Sequence, residues 1–313
     1  MSADIRFDGR VAIVTGAGGG LGRSHALQLA ARGAKVLVND LGAARDGTVA
    51  GASGASGVSA ADQVVAEIRA AGGEAQAHTG SVTDPAAVQT MVDQAMNAWG
   101  RVDVLVNNAG ILRDKSFSKM TLDDFRLLVD VHLMGAVYGS KAVWEIMKAQ
   151  AYGRIIFTTS SSGLFGNFGQ ANYGAAKMAL VGLMQTLALE GEKYNVRVNC
   201  LAPTAATRMT QDIMPPEVLQ LLTPESVTPG LLFLASEQAP TRAIVCAGAG
   251  VFAASHVTLT EGVLIGAGAD APEQVAAHFA QINSQRHELV PGSGMAQSQQ
   301  EIAMVMAKVA SGG

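Results

Sequence analysis

The alternation of short apolar runs with helical patterns constrains the fold of this chain more than any other feature. Strand-like runs rich in Val, Ile and Leu occur at 11–14, 36–38, 102–106, 154–158, 196–201 and 244–247. Helical periodicity occupies segments between or beside them, at about 21–32, 60–71, 85–99, 122–148 and 173–193. Continuous apolar runs are typical of strands buried on both faces. Their alternation with helices predicts an α/β protein with a doubly wound parallel sheet.

A glycine-rich turn, TGAGGGLG at 15–22, follows the first strand-like run and opens the first helical pattern. The glycines of this turn allow a tight bend and a close approach of backbone to a pyrophosphate. The predicted cofactor-binding residues here are Gly16, Gly20, Leu21 and Gly22. The helix that follows offers free N–H groups and a partial positive charge to the same group. In this strand–turn–helix context the motif predicts a Rossmann-type, dinucleotide-binding fold.

Asp40 closes the second predicted strand, 18 residues after Gly22. A carboxylate at this position can bind the adenosine ribose 2′-hydroxyl and would repel a 2′-phosphate. No arginine or lysine follows Asp40 at once, and Gly19 stands where a basic residue could have met that phosphate. These observations predict NAD, and not NADP, as the cofactor.

Composition and charge exclude several other kinds of function. The formal net charge is −4, so no basic face is implied and nucleic acid is not an expected partner. No stretch approaches the roughly 18 apolar residues of a membrane span. The first residues lack the apolar run of a signal peptide, and the two cysteines resemble reduced thiols, so a cytoplasmic protein is expected. The histidines form no cluster at ligand spacing, and we expect no catalytic metal.

The chain is expected to form one domain with a C-terminal helical extension. Residues 1–257 would hold the NAD-binding domain. Residues 258–313, with helical patterns near 272–285 and up to 309, would pack on that core or on a neighbouring subunit. The segment 42–59 is rich in Gly, Ala and Ser and lacks a period, which predicts a long mobile loop.

Four motifs together identify the chain as a member of the short-chain dehydrogenase/reductase family. They are TGAGGGLG at 15–22, Asn107-Asn108-Ala109-Gly110 after a strand, Ser160, and Tyr173 with Lys177 four residues later. The resemblance implies further cofactor contacts: Asn108, Ala109 and Gly110 beside the cofactor, Val82 with Ser81 at the adenine, and Pro203 with Thr207 near the nicotinamide. Ser81 occupies a position where many members carry Asp, which weakens its assignment.

Tyr173 is the expected acid/base. The ordinary pKa of tyrosine, about 10, is too high for a base at neutral pH. Lys177 shares a helix face with Tyr173, and its ammonium would favour the phenolate. In the family this lysine also binds the nicotinamide ribose. Ser160, near a strand end, would hydrogen-bond the substrate oxygen.

His132 departs from the family pattern, because most members carry Asn at this position as the fourth catalytic residue. The Asn normally holds a water that connects the lysine to solvent. Histidine could hold the same water through a ring nitrogen. The alternative is a core histidine whose ring is satisfied by backbone.

Further segments resemble the (3R)-hydroxyacyl-CoA dehydrogenase unit of the type 2 peroxisomal multifunctional enzymes and its single-domain bacterial relatives. They include VNDLG, NNAGILRDKSF and GNFGQANY. The resemblance implies NAD-dependent interconversion of (3R)-3-hydroxyacyl-CoA and 3-oxoacyl-CoA. A 17β-hydroxysteroid dehydrogenase of sterol degradation remains an alternative. So does a 3-oxoacyl-carrier-protein reductase, although Asp40 disfavours the NADPH that this reaction usually uses. A cofactor-binding scaffold without catalysis is disfavoured by the intact Ser160, Tyr173 and Lys177.

The expected partner is a small lipid-derived substrate, an acyl-CoA or a steroid. Arg113, Lys115 and Lys119 could form a basic patch for CoA, or could be scattered surface charges. In the family, the helices that correspond to 122–148 and 173–193 pack against a second subunit. The resemblance therefore implies a homodimer or a homotetramer.

Overall fold

The computed structural model of the protein describes residues 4–48, 58–206 and 216–310. Within these residues an eight-stranded sheet has the order β3-β2-β1-β4-β5-β6-β7-β8. Its strands are β1 Val11–Thr15, β2 Lys35–Asn39, β3 Ala75–His78, β4 Val104–Asn107, β5 Gly153–Thr158, β6 Val196–Thr204, β7 Ile244–Gly248 and β8 Val251–Ser255. Strands β1 to β7 pair in parallel. The strand order reverses between β1 and β4, which opens a crevice at the carboxyl ends of these strands.

Helices cover the sheet and form the C-terminal segment. They are α1 Gly20–Ala31, α2 Ala60–Ala70, α3 Pro85–Trp99, α4 Leu122–Val129, α5 Gly135–Gln150, α6 Ser161–Phe165, α7 Ala171–Gly191, α8 Pro216–Leu221, α9 Pro224–Ala235, α10 Ala271–Ile282 and α11 Met295–Ala310. The predicted Rossmann-type α/β architecture is thereby confirmed.

The core consists of two apolar layers, one on each face of the sheet. In β1, Ala12 and Val14 belong to the layer under α1, α2 and α9, whereas Val11 and Ile13 belong to the layer under α3, α5 and α7. Alternate residues of a strand point to opposite faces, so a strand covered on both sides must be apolar throughout. This is why the strand-like runs are continuous.

Several elements escaped the sequence pattern, among them the helices α6, α8 and α9. Strand β3 reads AQAH and lies at the edge of the sheet, where three of its four residues are only partly buried. It therefore lacks the continuous apolar run of the central strands. Strand β8 is mostly exposed and follows β7 after a two-residue turn in which Ala249 and Gly250 both have positive φ, of 51° and 76°. Such a turn joins hairpin strands. The helix predicted over 122–148 is interrupted by a π-helical turn at Asp130–Met134.

The chain divides into two compact units after residue 254. In the second unit, Leu259, which precedes α10, forms an antiparallel bridge with Leu289, which lies between α10 and α11. The Gln300 side chain donates to the carbonyls of Thr260 and Glu261, at 2.8 Å each. The docking of this unit on the core or on a neighbouring subunit remains a prediction. Of the predicted mobile loop at 42–59, residues 49–57 lie outside the described residues.

Candidate active site

A cavity of about 470 Å³ opens where β1, β2, β4, β5 and β6 end. It is lined by most of the residues that the sequence assigns to the cofactor and to catalysis: Gly16, Gly20, Leu21, Gly22, Asp40, Ser81, Val82, Asn108, Ala109, Gly110, His132, Ser160, Tyr173, Lys177 and Pro203. The remaining one, Thr207, lies outside the described residues. One cavity thus collects side chains from segments far apart in the chain.

At Gly16, Gly18 and Gly22 the glycine-rich turn is packed so tightly that a side chain would not fit. Gly16 and Gly20 have φ of 62° and 51°, in the left-handed region that favours glycine. A Cβ on Gly16 would lie 2.7 Å from the Cα of Ala109. A Cβ on Gly22 would overlap the carbonyl oxygen of Gly16 and lie 2.6 Å from Nδ2 of Asn108. The backbone of the turn can therefore closely approach a bound group.

Asn108 fastens this turn to the end of β4. Its Nδ2 donates to the carbonyls of Thr15 and Gly16, at 3.0 Å each, and its backbone N–H donates to the Thr15 hydroxyl. At the start of α1, Gly19 supplies no side-chain cap and the first turn holds no acidic residue. The N–H groups there remain suited to an anion. This glycine cradle fits the pyrophosphate of a dinucleotide.

The Asp40 carboxylate is held between two backbone N–H groups. Its Oδ2 accepts from Gly18 and its Oδ1 accepts from Gly42, each at 2.8 Å. A Cβ on Gly18 would lie 2.7 Å from Cγ of Asp40, so the turn and the carboxylate are in close contact. Backbone thus orients the carboxylate, and its remaining lone pairs can accept hydrogen bonds from a ribose.

Tyr173 and Lys177 lie one turn apart on α7. The Lys177 ammonium donates to the Thr158 carbonyl at 2.6 Å and lies 5.5 Å from the centre of the Tyr173 ring. Ser160 follows the end of β5 and caps α6, where its hydroxyl accepts from the N–H of Ser162 at 3.2 Å. Burial raises the pKa of Tyr173, an effect that hydrogen bonding to Ser160 partly offsets.

Burial lowers the pKa of Lys177 to about 7. The sequence predicts that the Lys177 ammonium lowers the pKa of Tyr173, whereas burial raises that pKa. The reason is that desolvation is the largest influence on the pKa of both groups.

The lowered pKa of Lys177 predicts a pH-dependent stability. Between about pH 7 and the ordinary lysine value of 10.5, the unfolded chain holds this proton more tightly than the folded protein. The free energy of unfolding therefore rises with pH in this window. Lys177→Met removes the buried ammonium and its destabilising effect. We therefore expect the free energy of unfolding of the variant to exceed that of wild type by more at pH 7 than at pH 10. Urea unfolding of both cofactor-free proteins measures the gain, and equal gains at the two pH values would contradict the assignment.

His132 lies in the π-helical turn between α4 and α5 and is 3% exposed. Its Nε2 lies 2.8 Å from the Ile111 carbonyl and 3.2 Å from the Ile111 N–H. Its ring meets the Tyr173 ring edge-on, with 5.2 Å between centroids. Burial and the charge of Lys177 hold the pKa of His132 well below its usual value, so the ring is neutral. Single π-helical turns are frequent at functional sites.

The two nitrogens of His132 therefore have different surroundings. The short Nε2 contact fits donation to the Ile111 carbonyl, which makes Nδ1 an acceptor. Nδ1 is buried and has no partner among the residues that the structure describes. The Ile111 backbone thus satisfies Nε2, as expected for a core histidine. Nδ1 remains able to hold a water, as expected for a histidine that replaces the family's Asn. A Cβ on Gly110 would overlap Cε1 of this ring, which explains the glycine there.

Sequence reasoning missed a cluster beside the cavity. Buried Asp124 on α4 binds Arg113 at 2.9 Å and Lys115 at 3.1 Å. The Arg113 guanidinium, followed by Thr121 and Lys115, holds the pKa of Asp124 well below its usual range. Two of the three cations considered for a CoA patch thus bind a carboxylate of their own chain. No periodic signal in the sequence links positions 113 and 124.

In the described part of the chain, no group of three or more His, Cys, Asp or Glu side chains is arranged to hold a metal ion. None of the helices described there is long and apolar enough to cross a membrane.

Comparison with known proteins places this geometry in a family. The family model for short chain dehydrogenases matches residues 10–217. Over 236 residues the chain is 54% identical to the putative short-chain type dehydrogenase/reductase Rv0148 of Mycobacterium tuberculosis, which covers 75% of this chain and 80% of that protein. The match to the family model spans well over half of the chain.

Solved structures agree with this similarity. Full-length peroxisomal multifunctional enzyme type 2 from Drosophila melanogaster matches with a TM-score of 0.78 and 38% identity over 97% of this chain, which spans 50% of that protein. A 7α-hydroxysteroid dehydrogenase complexed with NADH and 7-oxo glycochenodeoxycholic acid matches with a TM-score of 0.69 and 30% identity, covering 80% of this chain and 98% of that one. The chain therefore belongs to the short-chain dehydrogenase/reductase family and is an oxidoreductase that acts on CH–OH donors with a nicotinamide cofactor.

Proposed function

We propose that the protein is an NAD-dependent dehydrogenase that interconverts (3R)-3-hydroxyacyl-CoA and 3-oxoacyl-CoA. The observation that carries the substrate class is the extent of the similarity to the multifunctional enzyme, which includes 97% of this chain. The 7α-hydroxysteroid dehydrogenase matches only 80%. The likeness to the multifunctional enzyme therefore extends further along the chain than the likeness to the hydroxysteroid dehydrogenase.

The preference for NAD rests on Asp40. Its carboxylate is fixed by the N–H groups of Gly18 and Gly42, so it cannot readily turn away from an incoming group. A ribose 2′-hydroxyl can donate to it, whereas a 2′-phosphate would bring a second negative charge to the same place. The glycine-rich turn and the start of α1 would hold the pyrophosphate, and Lys177 would hold the nicotinamide ribose.

The residues of the chain supply position and proton transfer. When bound, the oxidised nicotinamide accepts the hydride, and its positive charge favours the phenolate. Ser160 would donate to the substrate oxygen and keep it beside the Tyr173 hydroxyl. Tyr173 would take the proton of the alcohol during oxidation and return it to the ketone oxygen during reduction. In the proposed path, the buried Nδ1 of His132 holds a water that links Lys177 to solvent.

A steady-state comparison of substrates and cofactors tests the proposal. We expect (3R)-3-hydroxyacyl-CoA with NAD to give the highest kcat/KM, with the (3S) enantiomer as the matched control. NADP should be poorer than NAD by at least about 100-fold, because juxtaposed like charges cost several kcal/mol. Asp40→Asn should reduce this ratio, since it removes the repelling charge and keeps the side-chain shape.

Three outcomes would contradict the proposal. Equal use of NAD and NADP would overturn the role of Asp40. A higher kcat/KM with 17β-hydroxysteroids would favour the second candidate, which the similarity to the hydroxysteroid dehydrogenase supports. A higher kcat/KM with a carrier-protein thioester would identify a reductase of acyl chains under synthesis.

We also propose that the protein is a homodimer or a homotetramer. Exposed apolar side chains on α4 and α7 support this, namely Leu122, Met178 and Leu189. In the family, the corresponding helices pack against a second subunit, which would cover these side chains.

A further inference from the structure

The described part of the chain after Asp40, residues 41–48, forms a wall of the cavity. Five of these residues line it: Leu41, Ala43, Ala44, Arg45 and Gly47. The wall begins at the carboxylate that would bind the adenosine ribose. It is therefore placed where its position affects cofactor binding directly, although the glycine-rich composition predicts a mobile segment.

Hydrogen bonds inside the wall order it into a compact turn. The N–H of Ala44 donates to the Thr48 carbonyl at 2.8 Å, and the N–H of Gly47 donates to the Ala44 carbonyl at 3.0 Å. The Asp46 carboxylate accepts from the N–H and the hydroxyl of Thr48, at 2.9 and 2.7 Å. Because the turn is closed on itself, it can be held in place as one body by a few contacts.

Three contacts attach this turn to the residues that follow Gly110. The N–H of Leu112 donates to the Arg45 carbonyl at 2.9 Å. Nε of Arg113 donates to the Asp46 carbonyl at 2.8 Å. Gly47 packs so closely on Ile111 that an added Cβ would lie 2.9 Å from its Cδ1. The wall thus meets the segment whose backbone also binds His132.

Arg113 is the side chain that connects the wall to the helical layer. While its Nε bonds the Asp46 carbonyl, its Nη1 binds the buried carboxylate of Asp124 on α4 at 2.9 Å. Asp124 is fixed in turn by Lys115, at 3.1 Å, and by the cap of α4 at Thr121. A planar guanidinium can make both bonds at once, which a single ammonium cannot do as well.

We propose that Arg113 is a positioning residue for cofactor binding. Its guanidinium links residues 41–48 to α4 and so holds the wall and Asp40 in the position that binds the cofactor. The inference rests on the proposed binding of NAD at this cavity. Without the guanidinium, the wall loses the bond to its Asp46 carbonyl and the link to Asp124, and the cost of ordering it then opposes binding. The cost falls on cofactor affinity, because the Arg113 side chain bonds the Asp46 carbonyl and Asp124, and not Ser160, Tyr173 or Lys177.

The test compares Arg113→Met with Lys115→Met. Both variants remove one cation from Asp124, but only the first removes the bond to the wall. We expect Arg113→Met to raise the Kd for NADH about tenfold, measured by NADH fluorescence without substrate, and to leave kcat at saturating NAD within about twofold. Lys115→Met should keep the NADH Kd within about twofold of wild type.

An unchanged Kd for Arg113→Met, or an equal rise in both variants, would overturn the proposal. If Arg113→Met fails to fold, Arg113→Lys provides the same comparison, because it keeps the charge near Asp124 and loses the second bond. A wild-type protein that bound no NADH would refute the proposed function itself. This outcome is distinct from the failure of the positioning role proposed for Arg113.

Discussion

Tyr173→Phe should lower kcat by about 10³-fold and leave the NADH Kd unchanged. The substitution removes only the phenolic oxygen, and general acid–base catalysis by a positioned group contributes about 10²–10⁴-fold. The ring that packs edge-on against His132, with centroids 5.2 Å apart, is retained, so the cavity should keep its shape. Steady-state kinetics at saturating substrate and NADH titration by fluorescence measure the two quantities.

Tyr194→Phe is the matched control for this prediction. Tyr194 precedes β6, and its ring lies beside Lys148 and Lys193 and not in the cavity. Loss of its hydroxyl should change kcat by less than about twofold, as for most surface substitutions. If Tyr173→Phe retained more than a tenth of wild-type kcat while remaining folded, another group would have to carry the proton.

Local patterns are what made much of the fold and the site predictable. Tyr173 and Lys177 are four residues apart, and any helix brings such a pair to one face. In the turn at 15–22 a strand enters a helix, and at Gly16, Gly18 and Gly22 there is no room for a side chain. In both cases a short stretch of sequence determines the geometry.

Contacts between distant segments could not be predicted in this way. The bonds of Arg113 to the Asp46 carbonyl and to Asp124 join three segments, and their spacing carries no period. The raised pKa of Tyr173 follows from how much water the folded chain excludes, which the spacing to Lys177 does not reveal. The π-helical turn at His132 likewise depends on packing around the cavity.

Gly22→Ala should weaken NADH binding by about 50-fold and lower the free energy of unfolding by about 2 kcal/mol. The added methyl group would overlap the carbonyl oxygen of Gly16 and lie 2.8 Å from the Cα of Ala17. Both atoms belong to backbone, so the turn itself must move, and Asn108 would lose its hold on it. NADH titration and urea unfolding measure the two effects.

Gly294→Ala supplies the comparison that isolates this steric argument. It makes the same chemical change at a glycine where an added Cβ meets nothing within 4 Å. We expect its NADH affinity and its stability to match those of wild type. If Gly22→Ala also bound NADH as wild type does, the turn would have to be loose enough to relax around the methyl group. The close contacts among Gly16, Gly22 and Asn108 would then have no part in shaping the pyrophosphate cradle.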